Sequence, residues 1–414
     1  MNFSGEHKFG QKQFKRGETG LAKKQNKSAL GLMVLAILFV SLNLRPSISS
    51  IGPLLEAIRG DLSLSNSDIS LLTSIPVFCM GLFAPLAIGF NRKFGIKKSV
   101  TFLLVMLGAL TFVRGLVPTY PVLLASSFFI GLAIAVISPL LSAAIKTNFP
   151  GRTASLIGVY SFGMGVGAML ASGLTGVFYT IAGWPIALAS WGVLAIIALV
   201  LWLRVEEPQK VKVSNPAERA ASPWKNRRAW LMLLFFGFQS AMFFSLITWL
   251  APIAIDKGMN VLTAGAVLTV MAAVQLVGNL SLPILLTKYP SRLLWIFVSL
   301  MSGVAGLLLL LFGSTAAAWA AAVFLGVMLG CLFPIALLMP LDENERADDV
   351  NSWTAMIQSG GYIISSGMPF LIGMLYDGWG DHSITLYLLL SFAAMVMLFG
   401  ILLYKNEFKQ SEFK

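Results

Sequence analysis

The chain has 414 residues, of which 57% are hydrophobic and only 12% charged, with a mean hydropathy of +0.81. Soluble domains average about 45–50% apolar and about 25% charged, so this chain lacks the charge to cover a water-facing surface. Intrinsic disorder, a coiled coil and a disulfide-rich secreted scaffold are excluded, and the net charge of +12 is gathered in tails and loops in the manner of a polytopic membrane protein, which excludes nucleic acid as a partner.

The first 28 residues carry Lys8, Lys12, Lys15, Arg16, Lys23, Lys24 and Lys27. The apolar run Ala29–Leu44 follows. No small-x-small cleavage site closes it and hydrophobicity resumes after Arg45, so it reads as a spanning helix rather than a signal peptide. Segments of spanning length recur at 29–56, 67–90, 99–117, 121–146, 153–178, 184–204, 229–255, 264–287, 292–312, 317–340, 350–376 and 383–404. The polar stretch EEPQKVKVSNPAERAASPWKNRR interrupts the series after the sixth. The expected fold is therefore all-α, twelve transmembrane helices in two pseudo-symmetric six-helix bundles. Its parts are a basic tail (1–28), an N-terminal bundle (29–205), a linker (206–228), a C-terminal bundle (229–404) and a short tail (405–414). Of the 30 Lys and Arg, all but Arg45, Arg59, Arg114 and Lys257 fall in the tails and even-numbered loops, which predicts both termini in the cytoplasm.

Four local matches relate the two sets of six. Ile51-Gly52-Pro53 parallels Leu250-Ala251-Pro252, Pro85 parallels Pro283, IGLAIAVISPLL (130–141) parallels LGVMLGCLFPIA (325–336), and Ser161-Phe162-Gly163 parallels Ser359-Gly360-Gly361, at offsets of 195 to 199. A six-helix repeat keeps the topology parallel, as in carriers built from two rocking halves.

Arg45 is the most informative residue. It lies about 24 Å along the first helix at 1.5 Å per residue, past the middle of a hydrocarbon core of about 30 Å. A central Arg costs at least about 2.5–3.5 kcal/mol on insertion scales, so it should face a polar cavity, unless it only bonds neighbouring carbonyls. Ser41, Arg45 and Ser49 share a face by i, i+4 spacing, and Asn43 lies beside them. Arg114, near the end of the third helix, reads either as a snorkelling side chain or as a gate that attracts anions. Gln239 and Ser240, Gln275 and Asn279, and Gln358 and Tyr362 are the other polar side chains within spans. Phe78, Tyr160, Phe162, Phe243 and Trp249 would supply an aromatic wall. The expected solute site is Arg45, Asn43, Ser49, Gln239, Trp249, Gln358, Tyr362 and Tyr160. Gly163 and Gly167 form a GxxxG on the fifth helix, and Gly361 its counterpart on the eleventh; both should be sliding contacts between the bundles.

Absences narrow the chemistry. No Asp or Glu lies deep in a span. The two Cys, Cys79 and Cys331, sit singly in apolar runs and the two His lie in the tail and a loop, so neither metal site nor cofactor is expected. No phosphate-binding loop or nucleophile elbow occurs in a suitable context, so an enzyme is not expected.

The loop FNRKFGIKKSV (90–100) resembles the signature between helices two and three of major facilitator transporters, with Gly95, Lys97 and Lys98 in place. The usual Asp and first Gly of that signature are replaced by Arg92 and Ile88. Arg92 and Lys93 would then pair with acidic groups or lipid headgroups and, with Gly95, belong to the gate. NLRPSISSIGPLL (43–55), KTNFPGR (146–152), FFGFQSAMFFSLITWLAPI (235–253) and QSGGYIISSGMPFLIGMLYD (358–377) resemble the CynX/NimT subfamily, the cyanate and 2-nitroimidazole transporter-like proteins. Pro185 departs from the basic residue expected after Trp184. The resemblance implies a monomeric secondary transporter in a bacterial plasma membrane, whose partners are the lipid bilayer and a small solute. Arg45 would hold an anionic or strongly dipolar solute. The alternatives are an efflux pump for neutral or weakly basic toxic compounds and a transporter-like sensor, the latter disfavoured by the absence of a long soluble segment.

Overall fold

The computed structural model describes residues 30–205, 222–344 and 346–411. The basic tail, most of the linker and the last three residues lie outside the described residues.

The described residues form twelve helices. The first, α1 (Leu30–Asp61), is broken at Leu44-Arg45 and again at Ser50. Then follow α2 (66–94), α3 (96–116), α4 (Tyr120–Asn148), α5 (153–182) and α6 (184–204). After the linker come α7 (Arg227–Asp256), α8 (Val261–Lys288), α9 (Arg292–Phe312), α10 (Ala317–Glu343), α11 (Ala347–Trp379) and α12 (Ser383–Ser411). Ten helices are long and apolar enough to cross a membrane. The other two of the twelve are α6, interrupted at Ser190-Trp191, and the more polar α11.

Local chemistry sets most of the boundaries. Ser65 and Asp68 form a reciprocal capping box at the start of α2, and Asn226, Asn260 and Ser291 cap α7, α8 and α9 with their side chains. Two boundaries rest on glycines at positive φ, Gly95 (φ 75°) between α2 and α3 and Gly183 (φ 78°) between α5 and α6. An L side chain is strained there. Pro185 falls in the first turn of α6, where its missing N–H removes no helical bond, so the departure from a basic residue is a helix start. Lys97, in the resembling loop, donates from Nζ to the Val205 carbonyl at the end of α6, 2.6 Å away. That cation also complements the helix dipole.

Among the first six helices α4 packs on α2 and α3, α6 on α3, and α5 on α1; among the last six α10 packs on α8 and α9, and α7 on α11 and α12. The sets meet through α2 with α11, α5 with α8, and the end of α1 with α7. Close approach along these seams uses small residues. A Cβ on Gly81 would lie 2.7 Å from the Ser359 carbonyl of α11, and one on Gly265 2.8 Å from the Ser172 carbonyl of α5. The cores are uneven. One apolar cluster belongs almost wholly to the first six helices, whereas the other joins the last six to Ile51, Leu54, Leu55, Ile69 and Trp184 at the Asp61 end.

Candidate functional site

Asp377 strengthens that closed end. Its carboxylate accepts from the backbone N–H and Nδ2 of Asn66 (both 2.8 Å) and from the N–H and Oγ of Ser67 (2.9 and 2.7 Å). An anion from α11 thus sits on the exposed amides that begin α2. Below it, Thr248 of α7 bonds Thr73 of α2 at 3.0 Å. Among the described residues, the ion pairs toward the Gly95 end, Arg228–Glu343 and Arg292–Asp342, stay within the last six helices.

Midway between these ends lies a cavity whose empty volume, mouth included, is about 690 Å³. The first six helices contribute Arg45, Ser161, Met164, Gly165 and Ala168. The last six contribute Gln239, Ser240, Phe243, Phe244, Ala272, Gln275, Leu276, Asn279, Leu329, Phe333 and Tyr362. Arg45 stands at the break in α1, just before Pro46, with non-ideal helical dihedrals (φ −111°, ψ −35°). Its guanidinium lies 5.4 Å from the centre of the Phe243 ring, a cation–π contact. Among the described residues it has no hydrogen bond or ion pair, and no carboxylate lines the cavity. Tyr160 and Tyr362 flank it closely enough to feel its charge. Tyr362 is braced edge-on by Phe236 and Phe244, at 5.2 and 6.2 Å.

Of the expected solute residues, Arg45, Gln239 and Tyr362 line this cavity. Gln239 is already committed, donating from Nε2 to Ser240 Oγ at 2.7 Å. Tyr160 stands outside the lining. Four expectations need correction. Asn43 donates from Nδ2 to the Phe39 and Leu194 carbonyls, 2.8 and 2.9 Å away, and so ties α1 to α6. Ser49 is buried outside the lining: its N–H donates to the Arg45 carbonyl at 2.9 Å, so the i, i+4 register holds, but its Oγ is enclosed and does not reach the cavity. Trp249 is buried at the Asp61 end, donating to the Pro369 carbonyl at 3.1 Å and stacking on Tyr376. Gln358, one turn before Tyr362, does not reach the lining. Phe162 is 41% exposed and also stands outside it.

The structure also places the residues expected at the gate. Arg114 neither snorkels nor faces the cavity: it is 1% exposed and donates to Ser126 Oγ (2.9 Å), Ser127 Oγ (2.7 Å) and the Ser47 carbonyl (3.2 Å). It pins α3 and α4 to the broken stretch of α1. Gly163 and Gly167 pack on Leu38, Ser41 and Leu42 of α1, and Gly361 on Phe236 of α7, so all three seal contacts within their own six-helix set. The α5 glycines that face the other set are Gly165, Gly173 and Gly176, against Leu276, Thr269 and Leu262. Arg92 and Lys93 are exposed and have no acidic partner among the described residues, Lys93 resting on its neighbour Phe94 at 5.2 Å. Gly95 is the turn itself.

Such a cavity between two helical sets, with a closed end and helices pinned by backbone-close packing, defines a membrane carrier. The model of the Major Facilitator Superfamily matches residues 32–366, and the chain belongs to that family. It is 29% identical over 374 residues to an uncharacterized transporter, YycB, of Bacillus subtilis, covering 88% of this chain and 91% of that one. It is 28% identical to the 2-nitroimidazole transporter of Escherichia coli (89% and 94% covered) and 29% to the cyanate transport protein CynX of the same organism (84% and 91%). The solved D-xylose-proton symporter superposes with a TM-score of 0.74 at 13% identity, covering 90% of this chain and 96% of that one. A bacterial homologue of the lysosomal transporter Spinster gives 0.72 at 17% (91% and 95%). The family and these relatives are transporters, not enzymes.

Proposed function

We propose that the chain is a secondary transporter that carries a small anionic or strongly dipolar solute across a bacterial plasma membrane by rocker-switch alternating access. One observation carries the reading: among the described residues, the Arg45 guanidinium has no hydrogen bond or counter-charge and no carboxylate lines its cavity. Arg45 is only partly buried and faces the cavity, and a charge within a membrane span marks a solute pathway by default, so a solute that enters the cavity meets it. The planar fork of Arg suits two oxygens of a planar anion or nitro group at once. Relatives named for cyanate and 2-nitroimidazole support that chemistry. Among the described residues neither carboxylate nor histidine lines the cavity, which favours uniport, exchange, or symport in which the solute or an indirect route carries the proton. The basic bias of the even-numbered loops assigns the Asp61 end to the outside and both termini to the cytoplasm. The cavity of this conformer then serves the inner face.

In proteoliposomes, uptake of cyanate or another small planar anion should fall at least about a hundredfold on replacing Arg45 by Ala, the scale of a lost charge-assisted, bidentate contact. Wild-type uptake by a correctly inserted Arg45→Ala protein contradicts the reading. A second reading, efflux of neutral or weakly basic toxic compounds, is favoured by the apolar lining of Met164, Phe243, Phe244, Leu276, Leu329 and Phe333. It predicts that small planar anions do not compete for transport.

A further inference from the structure

The cavity that Arg45 lines holds a second group without a partner. Asn279 of α8 lines the cavity, and its Oδ1, fully buried, has no hydrogen bond. Its carboxamide as a whole makes none within the described residues. Gln275, one helical turn earlier, lines the same wall. The backbone behind them cannot retreat: a Cβ on Gly278 would lie 2.9 Å from the Gly330 Cα, and one on Gly330 2.7 Å from the Gln275 carbonyl, so α8 is held hard against α10. Buried polar atoms in folded proteins are otherwise almost always paired. Of the five such unpaired atoms among the described residues, the Asn279 Oδ1 is the one whose residue lines the cavity, together with Arg45 from the other six helices.

Resting on the transport reading above, we propose that Asn279 is a specificity-determining residue that accepts a hydrogen bond from the solute, while Arg45 donates to it. The solute class is then a small planar molecule with an acceptor edge, such as a nitro or carboxylate group, and an N–H or O–H donor elsewhere. Acceptor-only anions satisfy Arg45 but leave the Asn279 Oδ1 without a donor. A solute that meets both groups bridges the two helical sets, so the same contacts that select it also favour their closure around it. Sites built to bond a polar hydrogen discriminate strongly against the analogue that lacks it.

The test is calorimetric titration of the purified full-length chain with 2-nitroimidazole and its 1-methyl derivative, which keeps ring and nitro group but has no N–H. The wild type should bind the first at least about tenfold more tightly than the second, as one hydrogen bond to a buried group implies. Asn279→Ala should erase the preference by weakening 2-nitroimidazole alone, with an unchanged melting temperature. Equal binding of the two compounds by the wild type overturns the proposal. So does an Asn279→Ala protein that loses the preference by binding the methylated compound more tightly, because bulk was then the discriminator. Binding of nitrate or cyanate, lost in Arg45→Ala, with no binding of either nitroimidazole sinks the Asn279 proposal and leaves the transport reading standing. Wild-type-like binding of every probe by Arg45→Ala sinks the transport reading itself.

Discussion

Arg45 and Arg114 are both arginines in apolar helices, and their surroundings give them opposite roles. Every contact that Arg114 makes is to a serine hydroxyl or a main-chain carbonyl, and it is sealed from solvent. Arg114→Ala should destabilise the fold by about 2–4 kcal/mol, through the void and the orphaned groups it leaves, read as a lower melting temperature in detergent. Arg45→Ala should leave the melting temperature almost unchanged and remove solute binding. Sequence picks out both residues, because charge in a span is rare, but it does not separate them. The partners of Arg114 lie on two other helices, and the single turn that joins Ser49 to Arg45 does not bring its hydroxyl to the cavity. A third titratable residue, His382, sits between α11 and α12 against Tyr376 and Trp249, with Nε2 3.4 Å from Asp256 Oδ2. Despite that neighbour, and the pull of Glu56 and Asp381, burial dominates and lowers its pKa from 6.5 to about 4. The unfolded chain therefore takes up the proton first as pH falls, and the stability present above pH 6.5 drains away towards pH 4. Melting curves across that window should show a loss that His382→Phe reduces; identical pH profiles for the two proteins contradict it.

At the scale of the helix, α5 shows why a glycine pattern underdetermines its partner. Gly163 and Gly167 look toward α1 and Gly165, Gly173 and Gly176 toward α8, two faces of one helix packed against its own set and against the other. A Cβ on Gly167 would meet the Leu42 carbonyl at 2.3 Å, whereas one on Gly165 would meet only the tip of the Leu276 side chain. Gly167→Ala should cost about 1–3 kcal/mol, as overpacking typically does, and Gly165→Ala should be nearly neutral in thermal denaturation. A GxxxG in sequence announces close packing without saying against what. The Asp377 contact was less legible still, since nothing near Asp377 in the chain marks Asn66 and Ser67, more than 300 residues earlier, as its partners. Asp377→Ala should weaken the closed end by about 1 kcal/mol, the usual worth of a helix cap. Spin labels near Asn66 on α2 and Trp379 on α11 should then report a larger open population than in wild type.

Taken whole, the molecule divides into what repetition specifies and what conformation specifies. Hydropathy marks all twelve helices, and the Gly-Pro matches at offsets near 197 relate the two sets of six. Glycines at positive φ cut two of the boundaries that hydropathy alone leaves soft. The cavity belongs to a different category, since its wall combines Arg45 with Gln275, Asn279 and Phe333 from distant segments, and only the packing of α5 on α8 and α10 on α8 brings them around one space. The α8 pair was visible as two amides one turn apart; that they line one cavity with Arg45 was not.

The most direct test is the affinity of the purified protein for cyanate, measured by titration calorimetry in wild type and in Arg45→Gln, which keeps hydrogen-bonding capacity but not the charge. If Arg45 supplies the compensating cation for the solute, binding weakens by at least about thirtyfold while the melting temperature holds, the change expected for losing a charge-assisted contact of about 2 kcal/mol. Equal affinity in the two proteins would contradict it.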